Sequence, residues 1–133
     1  MIGIDTNILL RHTLEDDTAQ SPIATAFLMD ERRIAEPALV NPVVLVEFVW
    51  TLARREKFEK PEILALLDVL VRSRRVVFTE ERAVVAAIEN WRSGKAGFQD
   101  YLIGHLNRQA GASTTMTFDG KAALEPGFSH LTA

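Results

Sequence analysis

The feature that most constrains the fold of this chain is an alternation between short apolar segments and longer segments with helical periodicity. The apolar segments, which have the length of β-strands, span residues 1–5, 38–41, 76–78, 113–118 and 128–131. Strands that alternate with helices predict a mainly parallel sheet covered on both faces. We therefore expect an α/β fold, a three-layer α/β/α sandwich with four to five strands. No repeat or linker interrupts the pattern, which predicts a single domain over residues 1–133.

Residues that favour helix starts divide the remaining segments. Thr18 is a candidate cap for a helix with Pro22 in its first turn, Asn41 precedes Pro42, and Thr79 precedes two glutamates. The predicted helices span residues 7–14, 19–30, 42–55, 61–72, 80–91, 98–109 and 120–124. In the fifth of these, Val84, Ile88 and Trp91 form an apolar stripe expected to face the core.

Composition limits the class of protein and its chemistry. With 47% hydrophobic and 25% charged residues, the chain has the composition of an ordinary globular protein, and no apolar run is long enough to span a bilayer. Asp5 and Arg11 interrupt the region where a signal peptide would need apolar residues, so we expect a cytosolic protein. The absence of cysteine excludes disulfides, a thiol nucleophile and zinc–thiolate sites. Any metal would need oxygen or imidazole ligands.

The net charge of −3 argues only weakly against a nucleic-acid partner. If four acids bound metal, the basic side chains would outnumber the remaining acidic ones. Basic residues also concentrate in the middle of the chain, at Arg54, Arg55, Lys57, Lys60, Arg72, Arg74 and Arg75. The sequence is therefore still compatible with a surface that binds phosphates.

Four carboxylates lie next to apolar segments, where solvation alone does not explain a charged side chain. They are Asp5, Glu47, Asp100 and Asp119. Each also has a structural alternative. Asp5 and Asp119 favour helix N-caps, Asp100 suits a first helical turn, and Glu47 fits a polar stripe with Thr51. The functional interpretation depends on all four converging.

The surroundings of Asp100 favour a functional role over a solvated helix face. Gly104 follows one turn later and Asn107 comes near the next turn, so we expect little bulk over the carboxylate. In parallel sheets, ligands collect beyond the carboxyl ends of the strands, where Asp5 and Asp119 are predicted to lie.

Carboxylates gathered in this way are the ligands that Mg²⁺ and Mn²⁺ prefer, and a two-cation site is suited to phosphodiester hydrolysis. The four acids therefore predict both the metal ligands and the catalytic residues of a nuclease that uses a metal-activated water. Thr6, Asn7 and Thr117 are candidates for holding waters or a phosphate around them.

Four motifs in this order resemble the PIN-domain ribonucleases, and among them the VapC toxins of toxin–antitoxin pairs. They are Ile4-Asp5-Thr6-Asn7-Ile8-Leu9, the stretch from Asn41 to Trp50 around Glu47, Phe98-Gln99-Asp100-Tyr101-Leu102-Ile103, and Thr117-Phe118-Asp119 with Pro126-Gly127-Phe128. The resemblance covers nearly the whole chain.

The resemblance implies an α/β/α sandwich and a magnesium- or manganese-dependent endoribonuclease. It also implies a homodimer and inhibition by a cognate VapB-type antitoxin that covers the site. The family's acids fall on Asp5, Glu47, Asp100 and Asp119, with the accompanying hydroxyl on Thr6. Many relatives carry an acid where this chain has Gly97, and we expect that difference to affect helix capping or metal affinity rather than activity.

Three alternatives remain open. A phosphatase or a phosphorylated receiver domain would also place an aspartate at a strand end, although Asn7 stands where a phosphatase needs a second aspartate. A metal-free ribonuclease would use His12, His105 or His130, none of which lies in a motif. A PIN-like module that binds RNA or protein without catalysis is the third.

The helix predicted after Pro42 suggests assembly with a partner. Val43, Leu45, Val49 and Leu52 exceed what one face needs for a core, so some are expected to face a second copy or an antitoxin helix. A fully buried helix is the structural alternative.

Overall fold

The computed structural model describes residues 1–133 and has the predicted α/β character. Its strands are β1 (Ile2–Gly3), β2 (Ala38–Val40), β3 (Val76–Phe78), β4 (Thr115–Thr117) and β5 (Phe128–His130). Its helices are α1 (Thr6–Leu14), α2 (Gln20–Met29), α3 (Arg32–Ala35), α4 (Pro42–Arg54), α5 (Lys60–Arg72), α6 (Glu81–Ser93), α7 (Phe98–Gln109) and α8 (Gly120–Ala123). The chain forms two compact units, Met1–Thr79 and Glu80–Ala133.

The first unit contains a parallel sheet in the order β1-β2-β3. Ile2 pairs with Ala38, and Ala38 pairs with Val76, so all three strands run in the same direction. The helices between them bury their apolar faces, and the largest fully buried side chains include Leu9, Leu45 and Phe48. Because the strands are parallel, α1 and α4 both begin at the carboxyl edge of the sheet.

Side-chain caps fix the starts of these two helices. Asp5 caps α1, and the side chain of Asn41 accepts a hydrogen bond from the backbone N–H of Val44 at 3.1 Å. Pro42 occupies the first position of α4, where the missing N–H breaks no helical bond. The predicted Asn41-Pro42 start is therefore confirmed.

The second unit pairs α6 with α7 and adds a two-stranded parallel sheet, β4-β5. Val84, Ile88 and Trp91 are buried as predicted. The rings of Trp91 and Phe98 lie with their centroids 5.7 Å apart and so contribute to the packing of the two helices. The five strands are thus divided between two sheets, each with parallel pairing only.

Two predicted caps are wrong. The carboxylate of Asp17, not Thr18, accepts hydrogen bonds at the start of α2, from the N–H of Ala19 just before the helix at 2.9 Å and from that of Gln20, its first residue, at 2.7 Å. At α6 the residue before the helix is Glu80, which has a left-handed backbone (φ 57°). Thr79 is one residue too early to cap, and its buried hydroxyl has no hydrogen-bond partner. The single turn α3 was also not predicted.

The apolar face of α4 is mostly core. Leu45, Val49 and Leu52 are buried, whereas Val43 is 68% exposed and Trp50 is 55% exposed. Three of the four residues expected to exceed the core's needs therefore belong to it. Separately, none of the helices is long and apolar enough to cross a membrane.

Candidate functional site

Asp5 lies where the chain leaves β1 and enters α1. Its Oδ1 accepts a hydrogen bond from the backbone N–H of Ile8 at 3.3 Å, so the carboxylate caps the helix. The side chain is exposed and has no ion-pair partner. A negatively charged side chain is stabilised at a helix N-terminus by the helix dipole.

Glu47 is joined to the first helix by Thr6. The Thr6 hydroxyl donates to Oε1 of Glu47 at 2.8 Å, linking the first turn of α1 to the second turn of α4. Glu47 is exposed, forms no ion pair, and its Oε2 receives no protein hydrogen bond. Thr6, which the sequence predicts to hold waters or a phosphate near the acids, is therefore hydrogen-bonded to one of the candidate carboxylates.

Asn7 is exposed and makes no side-chain hydrogen bond. It lines an open cavity of about 310 Å³ together with Asp5 and Arg11. The guanidinium of Arg11 is already paired, with Asp16 at 3.0 Å and with Gln20 at 3.0 Å. The amide of Asn7 and the carboxylate of Asp5 are thus the polar groups in this cavity that no other side chain holds.

Asp100 is the third residue of α7 and is half-buried. Its Oδ2 accepts a hydrogen bond from the backbone N–H of Gly97 at 3.0 Å, which leaves Oδ1 without a protein donor. Gly97 has an ordinary extended backbone (φ −79°), and a side chain there would meet only the flexible end of Gln99. An acid at position 97 would therefore fit this backbone.

The space expected above Asp100 is not left open by Gly104. A Cβ atom at Gly104 would lie 2.8 Å from the ring of Phe128, so the glycine admits an aromatic ring from β5. Asn107 donates to the Thr115 hydroxyl at 3.0 Å and ties α7 to β4. Gly104 and Asn107 thus serve packing, which corrects the expectation drawn from their spacing.

Asp119 caps the short helix α8, as its structural alternative predicts. Its Oδ1 accepts from the N–H groups of Lys121 and Ala122, at 2.9 and 3.4 Å, and Oδ2 has no protein donor. The backbone N–H of Asp119 in turn donates to the Thr117 hydroxyl at 3.0 Å. Thr117 therefore fixes the main chain that carries the carboxylate.

The four candidate carboxylates share one arrangement. Each uses a single oxygen in protein hydrogen bonds, leaves the other free of protein donors, and has no basic side chain as an ion-pair partner. Oxygen donors of this kind suit a hard divalent cation. No group of three or more His, Asp or Glu side chains is arranged in the structure to hold a metal ion.

The three histidines have different surroundings, and none is hydrogen-bonded to another. His12 Nδ1 lies 2.8 Å from the hydroxyl of Thr25, and His105 Nε2 lies 2.6 Å from Oδ1 of Asn90. His130 is exposed in β5. Burial and the nearby charge of Arg108 lower the pKa of His105. The structure therefore offers no hydrogen-bonded histidine pair to a metal-free mechanism.

A partly buried hydroxyl–carboxylate pair in the second unit was not predicted from the sequence. The Tyr101 hydroxyl donates to Oε1 of Glu125 at 2.8 Å and accepts from the backbone N–H of Ala96 at 3.3 Å. Burial and the bond to Glu125 raise the pKa of Tyr101. The only signal in the sequence is the position of Tyr101 beside Asp100; nothing there indicates Glu125.

Comparison with models of known protein families matches residues 2–124 to the PIN domain. PIN domains are generally nucleases and typically use divalent metal ions. No curated protein matches the chain. The family match includes all four candidate carboxylates and extends through both compact units.

Proposed function

Because the chain belongs to the PIN domain family, we propose that it is a Mg²⁺- or Mn²⁺-dependent endoribonuclease, and that it is the VapC-type toxin of a toxin–antitoxin pair. Residues 1–133 would act as a single PIN domain in the cytoplasm. Its substrate would be RNA, and a cognate VapB-type antitoxin would inhibit it.

The observation that carries this proposal is that each of the four carboxylates has one oxygen without a protein hydrogen-bond donor. Asp5, Glu47, Asp100 and Asp119 each keep one oxygen bonded to the protein and one oxygen available. The bonded oxygen fixes the side chain, while the available oxygen can bind a cation.

The proposed chemistry assigns each residue a role in binding or positioning. Asp5, Glu47, Asp100 and Asp119 would hold the metal. When bound, divalent cations supply a more acidic water and offset the charge that develops on the phosphate. Thr6 orients Glu47, and Thr117 orients the backbone of Asp119. Asn7, beside Asp5, is the candidate donor to a phosphate oxygen.

Exposed arginines in the first unit support an RNA substrate. Arg54 and Arg55, at the end of α4, are exposed and form no ion pair. Free basic side chains of this kind bind phosphates, and each contact with a single strand steepens the fall of log K with log salt concentration by about 0.7. We expect the double variant Arg54→Gln/Arg55→Gln to bind RNA more weakly, with a slope reduced by about 0.7 to 1.4. Binding isotherms at several salt concentrations, with an Asp5→Asn background to prevent cleavage, measure this.

Assembly partners are part of the proposal. Val43 and Trp50 lie one heptad apart on α4 and are both exposed. A surface of this kind favours contact with a second copy, as in a homodimer, or with an antitoxin helix. Light scattering that shows a monomer both alone and with the product of the adjacent gene would refute this assignment.

The structure suggests variants that separate metal binding from helix capping. Asparagine caps helices as well as aspartate, so Asp5→Asn and Asp119→Asn keep the cap and lose the charge. Asp100→Asn retains an oxygen for the N–H of Gly97, and Glu47→Gln retains one for the Thr6 hydroxyl. Each variant should fold with wild-type stability or better and lose RNA cleavage by at least 100-fold.

The matched controls are the alanine variants at the same positions. Asp5→Ala and Asp119→Ala remove the cap as well as the charge and should cost about 1 kcal/mol of stability in addition to activity. If the asparagine variants cleave RNA at the parental rate while the alanine variants are only unstable, the carboxylates are caps and the metal assignment is wrong. Cleavage that survives EDTA would also contradict the metal assignment.

A PIN-like module that binds RNA without cutting it is the second candidate. It predicts that purified protein with Mn²⁺ leaves RNA intact while Arg54→Gln/Arg55→Gln still weakens binding. Growth arrest on expression distinguishes the two in cells. A nuclease toxin stops arresting growth in the Asp5→Asn variant, whereas a binding module does not depend on that charge.

A further inference from the structure

A cavity in the second unit, lined by both charged and apolar side chains, lies outside the proposed catalytic acids. It has a volume of about 200 Å³ and is lined by residues of α6, of α7, of the turn before β5 and of β5 itself. The side chains that give it its chemistry are Tyr101, His105, Arg108, Glu125 and Phe128. This volume is smaller than the 300–1,000 Å³ typical of sites for drug-sized ligands, so it suits a single planar ring system.

The carboxylate in this cavity is held in place. Oε1 of Glu125 accepts the Tyr101 hydroxyl at 2.8 Å, and Oε2 has no protein donor. A carboxylate has about four acceptor positions, so most of its capacity remains for a ligand. The Tyr101 hydroxyl also accepts from the backbone N–H of Ala96 at 3.3 Å, so the group that holds the carboxylate is itself fixed.

The opposite charge is supplied by Arg108. A Cβ atom at Gly127 would lie 2.5 Å from the Arg108 guanidinium, so that glycine lets the side chain lie against the turn. Gly127 also has a positive φ of 87°, which other residues rarely adopt. His105 is held by Asn90, and burial together with the charge of Arg108 lowers its pKa.

One carboxylate and one guanidinium line the same cavity, which favours a neutral ligand with both donors and acceptors over a simple cation or anion. The ring of Phe128 and the planar guanidinium favour a flat ligand, since both stack on bases. Guanine is the RNA base that presents two adjacent N–H donors, N1 and N2, for a carboxylate. It also presents O6 and N7, the acceptor pair that arginine binds.

The cavity lies on the helix that carries Asp100. Gly104 and Arg108 follow Asp100 by one and two helical turns, which places these two lining residues about 6 and 12 Å along the helix axis from the acid. A nucleotide near a scissile phosphate at Asp100 could therefore place its base here.

We propose that this cavity binds a guanine base of single-stranded RNA, with Glu125 on its N1–H and N2–H₂ edge and Arg108 on O6 and N7. The inference rests on the proposed function for its substrate class, RNA, and adds a base preference that the family match does not contain.

The test is a titration of the full chain with GMP, AMP, CMP and UMP in EDTA, followed by NMR. We expect GMP to bind about tenfold more tightly than the other three and to shift the Arg108 Nε–H resonance. Glu125→Gln keeps an acceptor for Tyr101 but cannot accept both guanine donors in the same way, so it should remove the preference. Glu89→Gln, an exposed glutamate outside the cavity, is the matched control and should leave it unchanged.

Equal affinities for the four nucleotides, absence of GMP binding, or a preference that survives in a folded Glu125→Gln would each overturn the inference. Since the titration needs neither metal nor cleavage, these outcomes are independent of the proposed nuclease activity. A chain that cuts RNA without binding GMP loses only the base preference. If the chain binds GMP and its Asp5→Asn variant cuts RNA as fast as the parent does, only the metal assignment is wrong.

Discussion

The Thr6–Glu47 hydrogen bond gives a quantitative prediction about how α1 and α4 are held together. The bond is 2.8 Å long and joins residues 41 positions apart in the chain. Hydrogen bonds to charged groups contribute roughly 1.5–3 kcal/mol, but water competes for the exposed carboxylate of Glu47, and exposed pairs contribute only about 0.2–1 kcal/mol. We therefore expect a coupling energy near the top of the lower range, about 1 kcal/mol.

A double-mutant cycle isolates this energy. Thr6→Val keeps the shape of the side chain and removes the donor, and Glu47→Ala removes the acceptor in a good helix former. Urea unfolding of the four proteins gives the free energies. With a slope of about 2 kcal/mol per molar urea, Thr6→Val should lower the midpoint by about 0.5 M, and by much less when Glu47 is already alanine.

The cycle also has a clear contrary result. A coupling energy below about 0.3 kcal/mol, which is within the error of additivity, would show that the bond does not hold α1 to α4. Thr6 would then have no structural role towards Glu47 and could not be the residue that orients it as a metal ligand. Glu47→Gln, which retains an acceptor, should keep most of the coupling.

Three further predictions concern stability. Asn41→Ala removes the cap on the N–H of Val44 and should lower the free energy of unfolding by about 1 kcal/mol, measured by urea unfolding. Gly104→Ala drives a methyl group into the ring of Phe128 and should cost about 1–3 kcal/mol, visible as a lower Tm. The hydrogen bonds from Arg32 hold the pKa of Asp30 well below its usual 3.8. That contribution is present above about pH 4 and lost as the pH falls below it, so Asp30→Asn should weaken the acid dependence of Tm.

Local patterns in the sequence predicted the parts of the fold that depend on local physics. The apolar stripe of Val84, Ile88 and Trp91 and the Asn41-Pro42 helix start were both confirmed. Where several residues able to cap stand together, the pattern could not choose between them. Asp17 and Thr18 both qualify as caps, and the carboxylate of Asp17 is the one that meets the free N–H groups of α2.

The candidate site shows the same limit. The cap made by Asp119 follows from neighbouring residues and was foreseen as its structural alternative. The bond from Thr6 to Glu47 depends on how α1 and α4 pack, and no spacing along the chain encodes it. Gly104 was interpreted as space over Asp100, but long-range packing brings Phe128 into that space. The metal-binding roles of the four acids stay a prediction.

The parallel register of the first sheet also bears on how the chain acquires its structure during synthesis. A strand in parallel pairing must wait for a partner beyond an intervening crossover, and β1 pairs with a strand that begins only at Ala38. At about 5–20 residues per second, a ribosome exposes the first strand for seconds before its partner exists. During that interval Asp5 already stands at the end of the segment, where a charge discourages unpaired strands from associating with one another. The carboxylate of Asp5 would therefore reduce aggregation of the nascent chain before it caps α1 in the folded protein.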